Sequence, residues 1–528
     1  MLFHTLPFAL FLAVVLPVFF ALRKTRLWIP WLLAASYFFY GWWNPYYLIL
    51  IAYSTTLDYL LVTLMDHCPR PATPGSAILP QRDLVLWRAF LASTALALVL
   101  IALAILGPST LRPTFVSFAI LVLLMALGAR MASRRVWLFV SVFNNLALLL
   151  FFKYARFGIE NINHLLGTAG SPWHLPDPSS LMPNGAAYLL PVGISFFTFQ
   201  SMSYTIDFYF GRVARERNFI RFATFVCFFP QLMAGPIERA KHLLPQFQRA
   251  PEFRVQNLTD GASLFLVGLF KKLAMANYLS LYVERVYDNP SRFGAPALLL
   301  STFAFAWQIF FDFSGYTDMA RGVAKMMGFN LILNFNNPYL ATGLGDFWTR
   351  WHISLSSWFR DYVYIPLGGS RRGGWITNRN LLITFFVSGI WHGANWTFAI
   401  WGLLHALGVI LTRGLERSSF YRERVPKVVK QAWVFVYVCF AWIFFRAGSL
   451  SDALLIIDRI VHSAWKDPQI PALMLLMVGS VWMYQFLLES RLRCVLATGF
   501  ARVALAVAMM LYLCLCSTGG GSFIYFQF

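Results

Sequence analysis

Apolar residues in this chain gather into about 11 to 13 runs of roughly 17 to 25, the length a helix needs to cross a hydrocarbon core of about 30 Å. Short Arg-rich or Pro-rich gaps separate them. A membrane barrel would show short strands alternating polar and apolar residues, and stretches such as LLITFFVSGIW do not alternate. The expected fold class is all-α, a polytopic transmembrane helical protein. Hydrophobic residues make up 59% of 528 positions and charged residues 12%, so most of the surface cannot face water. The net charge of +21 invites a nucleic-acid reading, but its distribution argues against one. Arg23, Lys24 and Arg26 follow the first apolar run, and Arg130, Arg134 and Arg135 precede a later one, which is the topogenic pattern of cytoplasmic loops. The partner expected is the lipid bilayer, with no nucleic acid.

The run at 2–22 lacks a basic leader and has its charges after it, so it reads as a retained span with the N-terminus outside. Residues 413–430 carry six basic and two acidic side chains and 447–470 carry two basic and three acidic, which places the first stretch inside and the second outside. The same rule puts 212–221 inside and the Pro-rich loop 168–184 outside. No compositional break divides the chain, so 1–528 reads as one integral membrane domain. No internal repeat supports an inverted-repeat transporter. Cys68, Cys227, Cys439, Cys494, Cys514 and Cys516 lack metal-type spacing and read as buried thiols.

Residues 330–374 depart from the pattern, with Asp346, Arg350, Arg360, Asp361, Arg371 and Arg372 among Trp348, Trp351, Trp358 and Phe359. Charges at that density survive at membrane depth only against protein or water, so short re-entrant or interfacial helices are expected. On one helical repeat Trp348, His352, Ser356 and Phe359 share a face.

No GxxxxGK, GxSxG, HExxH or DxD pattern is present, so a reaction here must draw on an already activated donor. No metal site and no bound cofactor are expected. His392 stands in WHGANW between two apolar runs, beside Gly393, Ala394 and Asn395, small residues that let backbones approach or leave room for a ligand. An imidazole withheld from water is held neutral, the form a general base requires. His352 lies on a second segment that cannot face lipid, and the two could act as base and orienting partner around a reacting carbonyl. Trp391, Asn395, Trp348 and Ser356 are the neighbours expected to bind substrate or line a tunnel. Asp312 and Asp318 must be paired, hydrated or functional at membrane depth, and they too are candidate tunnel residues, although tethering between helices is the reading preferred over catalysis. His405 reads as packing. Lys271 and Lys272, ending an apolar run, read as snorkelling cations that could alternatively meet an anionic ligand.

FFPQLMAGPIER (228–239), FDFSGYTDMARG (311–322), FWTRWHISLSSWFRDYVYIPLGG (347–369) and WHGANWTFAIWG (391–402) occur in an order that resembles the membrane-bound O-acyltransferase family. The likeness is greatest to its bacterial branch of alginate O-acetylation membrane proteins. It covers about residues 186–446, which sets that stretch as a catalytic core between N-terminal spans (1–185) and C-terminal spans (447–528). The resemblance implies a catalytic role for His392 and an implicated one for His352. It also implies an acyl thioester donor such as acetyl-CoA on the cytoplasmic side of a bacterial inner membrane, and a tunnel through the protein. A separate extracytoplasmic SGNH-type acetyltransferase and polysaccharide biosynthesis machinery are the partners it implies. Apolar runs at 89–106 and 113–127 look like additional spans beyond the shortest members. Two other readings stand beside O-acetylation of an exported polysaccharide: D-alanyl transfer to a cell-envelope polymer, and a proton-coupled transporter in which the same histidines relay protons.

Overall fold

The computed structural model describes residues 1–68, 99, 119, 133–182, 188–233, 235–465, 471–490, 494 and 498–516. Apart from residues 99 and 119, the expected spans at 89–106 and 113–127 lie outside them. The described residues form helices and no strand. Among the described residues, six helical stretches are long and apolar enough to cross a membrane, Pro45–His67, Arg134–Thr168, Val255–Tyr287, Ala295–Met326, Trp396–Leu415 and Lys427–Arg446, and four shorter apolar helices accompany them. The chain is a multi-pass membrane protein. Its contacts divide it into two compact units, one built from residues 1–24, 233–238 and 251–528, the other from 25–232 and 239–250.

Helix α1 (Leu6–Leu22) belongs to the first of these units. The second contains α2 (Trp28–Gly41), α3 (Leu48–His67), α4 (Arg134–Leu149), α5 (Ala155–Thr168), α6 (Ile194–Tyr209) and α7 (Phe219–Cys227). Its interior is tied by one buried carboxylate: Asp58 on α3 accepts from Ser141 Oγ (2.6 Å) and Asn145 Nδ2 (2.9 Å) on α4 and from Ser201 Oγ on α6. Where water is excluded such groups must find protein partners, and this node fixes the register of three helices at once.

The first unit continues with α8 (Val255–Phe270), α9 (Asn277–Tyr287), α10 (Ala295–Met326), α11 (Leu344–Arg350) and α12 (Ile353–Phe359). It then forms α13 (Gly374–His392), α14 (Trp396–Leu415), α15 (Lys427–Arg446), α16 (Leu450–His462), α17 (Ala472–Glu489) and α18 (Gly499–Cys516). Helix α10 is the buried centre, and α8 lies against it at glycine contacts spaced seven residues apart. A Cβ on Gly268 would sit 2.5 Å from the Gly315 carbonyl oxygen, and one on Gly261 would sit 2.6 Å from that of Gly322. Small residues thus let two backbones touch, the arrangement that substitutes for a hydrophobic driving force in lipid.

A π-helical turn, Lys271–Ala276, joins α8 to α9. Lys272 is buried and pairs with Asp312 on α10 at 2.7 Å, while Lys271 pairs with Asp318 at 2.6 Å. The snorkelling expected of Lys272 is therefore corrected: its ammonium turns into the unit, where a carboxylate compensates the lost hydration. Asp312 and Asp318 are both ion-paired tethers to that turn. The cysteines are also corrected in part, since Cys68 and Cys227 are buried but Cys494 and Cys514 are exposed.

Candidate active site

Helices α13 and α14 form an antiparallel hairpin, and His392 is the last residue of its first arm. The close approach expected at Gly393 to Asn395 occurs lower down, where a Cβ on Gly389 would lie 2.3 Å from the Phe398 carbonyl oxygen and one on Gly402 2.2 Å from that of Phe385. Gly393 instead leaves space that the Phe398 ring fills, with a Cβ there 2.1 Å from Phe398 Cε2. Asn395 caps α14: its Oδ1 accepts from Thr397 N–H (3.1 Å) and its Nδ2 donates to Gly448 O (3.0 Å). The hairpin is thereby held at both its turn and its crossing.

The His392 imidazole is 3% exposed and lies edge-to-face with three rings, Trp401 (4.9 Å between centroids), Trp391 (5.0 Å) and Phe445 of α15 (5.3 Å). Trp391 also meets Phe359 of α12 at 6.3 Å. Trp401 and Phe445 carry no signal in the sequence that separates them from lipid-facing aromatics. Only the packing of α14 on α15 reveals them as neighbours of this imidazole.

His352 does not share a helical face with Trp348 and Ser356. The helix breaks between α11 and α12, where His352 adopts φ +42°, a left-handed conformation unfavourable for a residue with a Cβ. Asn334 holds the break: its carbonyl accepts from Ile353 N–H (2.9 Å) and its Oδ1 accepts from Ser354 N–H (3.1 Å) and Ser354 Oγ (2.9 Å). The same oxygen lies 3.1 Å from His352 Nδ1, and because an amide oxygen only accepts, Nδ1 carries the proton and Nε2 the lone pair. Burial pushes this imidazole, which lies outside the spanning helices, down to about 3, so it stays neutral. Its ring meets Phe313 (4.6 Å) and Phe335 (6.3 Å). From there the two histidines are joined ring to ring through Phe335, Trp351, Trp442 and Trp401, with successive separations of 5.1, 5.3 and 5.8 Å between those four.

A cavity of 320 Å³ runs beside the hairpin, lined by Trp348, Ser356, Phe359, Thr384, Phe385 and Ser388 among others. The structure thus brings Trp348, Ser356 and Phe359 together as the sequence suggested, without His352 among them. Ser388 precedes His392 by four residues on α13, about 6 Å along the axis, so the cavity rises to one turn below the imidazole. At the rim stands Arg360, 63% exposed and bonded to Asp361 at 2.9 Å. Asp346 and Arg350 pair within α11 at 2.7 Å, which accounts for charges that a lipid-facing helix would not tolerate. The spacing of Ser388 from His392 was readable as one helix face; Asn334, eighteen residues before His352 in a loop, had no local signal.

What the arrangement offers is a buried imidazole one helical turn beyond a partly open cavity lined by aromatic and hydroxyl side chains. The family model for the membrane-bound O-acyltransferase family matches residues 199–450. A probable alginate O-acetylase of Pseudomonas putida is 40% identical over 331 residues, 62% of this chain and 65% of that protein. A peptidoglycan O-acetyltransferase of Helicobacter pylori is 31% identical over 458 residues, 82% of this chain and 73% of that protein. A teichoic acid D-alanyltransferase of Bacillus subtilis is 29% identical over 268 residues, 48% and 68% of the two chains. The chain spans less than two thirds of the length of the alginate relatives it matches.

Proposed function

Because the chain belongs to the membrane-bound O-acyltransferase family, we propose that it is an O-acetyltransferase of a bacterial inner membrane, passing acetyl groups from a cytoplasmic thioester to an exported polysaccharide. The observation that carries the proposal is the cavity climbing α13 to Ser388, one turn short of His392. Helix α14 leads away from His392 to the Arg-rich stretch 413–430, whose charge favours the cytoplasmic side. The cavity then admits the donor, acetyl-CoA, from within, and His392 stands toward the outer face.

In the reaction His392 accepts the proton of an acceptor hydroxyl while that oxygen attacks the thioester carbonyl carbon. The C–O bond forms, the C–S bond breaks, and the proton passes from His392 to the departing sulfur, leaving an ester and a free thiol. His352, neutral with its lone pair on Nε2, orients donor or acceptor. The apolar walls keep out water that would hydrolyse the thioester. The acceptor is a sugar hydroxyl or the serine of a separate extracytoplasmic SGNH-type transferase.

The test is His392→Ala, scored by ester-linked acetate on the surface polymer at matched protein levels. Loss of acetate is expected, and unchanged acetylation sinks the assignment. Ester-linked D-alanine in the same hydrolysate, in place of acetate, would move the chain to the cargo named for its teichoic acid relative.

A further inference from the structure

His405 is fully buried on α14, and among the described residues neither of its ring nitrogens has a hydrogen-bond partner. It is boxed by Trp401 (4.8 Å between centroids), Trp348 (5.0 Å), Phe347 (6.0 Å, stacked) and Trp442 (6.3 Å). The indole N–H groups of Trp348, Trp401 and Trp442 are likewise buried and unpartnered among the described residues. An indole only donates, and a neutral imidazole has one donor and one acceptor, so these four side chains carry four donors against one acceptor. Buried polar groups are nearly always paired, and each one left unpaired costs stability. If packing were the only task, phenylalanine at 405 would perform it without that cost. An excess of donors fits an oxygen that only accepts.

The box adjoins the donor cavity. Trp348 belongs to both, and Val409, one turn beyond His405 on the same face of α14, lines the cavity too. Trp348 is half-buried, lines the cavity and meets the His405 ring edge-to-face, so one side chain touches both.

We propose that His405 and the Trp348 indole form the carbonyl-binding end of the donor cavity, donating hydrogen bonds to the acyl oxygen as negative charge develops on it. This rests on the acyltransferase reading above and extends it: His392 handles the acceptor's proton while His405 handles the donor's oxygen. Donors aimed at a developing oxyanion strengthen their bonds in the transition state, so their loss lowers turnover more than donor affinity.

The test uses membrane vesicles carrying the full chain, with acetyl-labelled acetyl-CoA as donor and ester-linked label in polymer as product. His405→Phe is expected to lower the maximal rate roughly 100-fold with little change in the acetyl-CoA KM. His405→Gln, which keeps a donor and an acceptor, should recover part of that rate. His405→Phe should also unfold at no lower temperature than wild type, since it removes two unpartnered polar atoms from an aromatic box. A His405→Phe protein that transfers at the wild-type rate, as an ordered water in the box would allow, overturns the proposal. So does one that loses thermal stability, because the nitrogens would then be serving the fold. If His392→Ala also transfers normally, or wild type transfers nothing, the acyltransferase reading itself fails; His405→Phe active beside an inactive His392→Ala refutes the carbonyl site alone.

Discussion

Replacing Gly389 with alanine adds a single methyl at the crossing that sets the position of His392. That carbon would lie 2.3 Å from the Phe398 carbonyl oxygen and 3.2 Å from the Gly402 Cα, whereas ordinary contact begins at 3.4 Å. Backbone cannot swing aside as a side chain can, so α13 and α14 must part by about 1 Å. Overpacking of this kind costs about 1–3 kcal/mol. His392 lies three residues on, and a shift of about 1 Å in a catalytic group is worth on the order of 100-fold in rate. Thermal unfolding in detergent and acetyl transfer in vesicles are the two assays. Gly414→Ala is the control, because nothing lies within 4 Å of its added carbon, and a helical Gly→Ala change should gain up to ~1 kcal/mol. Gly389→Ala that matches the control in both stability and transfer would refute the claim that this crossing positions the base.

Lys272→Met should cost about 3–5 kcal/mol by removing the ammonium paired with the buried Asp312 carboxylate, and Lys272→Met combined with Asp312→Leu should restore most of it; a double-mutant cycle in chemical denaturation measures the coupling. At position 352 glycine should leave the protein about 1 kcal/mol more stable than alanine, because only alanine pays the left-handed φ; thermal unfolding of the two variants decides. Gly393→Ala should push the Phe398 ring off Phe445, which lies 5.0 Å away and walls His392, and should lower transfer without abolishing membrane insertion.

The helical membrane class was legible because span length is imposed by the bilayer and apolar runs record it directly. The burial of His392 was legible for a related reason, as an ionisable side chain where lipid would otherwise be. The break at His352 was not: residues 348–359 contain no glycine or proline, and the interruption comes from Asn334 in a loop, a tertiary contact overriding local propensity. Lys272 misled for the same reason, since its carboxylate lies forty residues along the chain on α10. Trp401 illustrates the limit of pattern reading most sharply. At helical spacing it looks like any aromatic on an apolar face, and its contact with the rings of both His392 and His405 exists only in the fold.

The central claim is that an acyl group is cut from its carrier at His392 and only the acyl group travels onward. Sealed vesicles exposing the cytoplasmic face and carrying the polymer machinery can be given acetyl-CoA labelled with one isotope in the acetyl group and another in the CoA. Wild type should place the acetyl label in ester linkage on the far side and leave all CoA label behind as free thiol, and His392→Ala should stop both. Equal movement of the two labels, or transfer unchanged in His392→Ala, would contradict it.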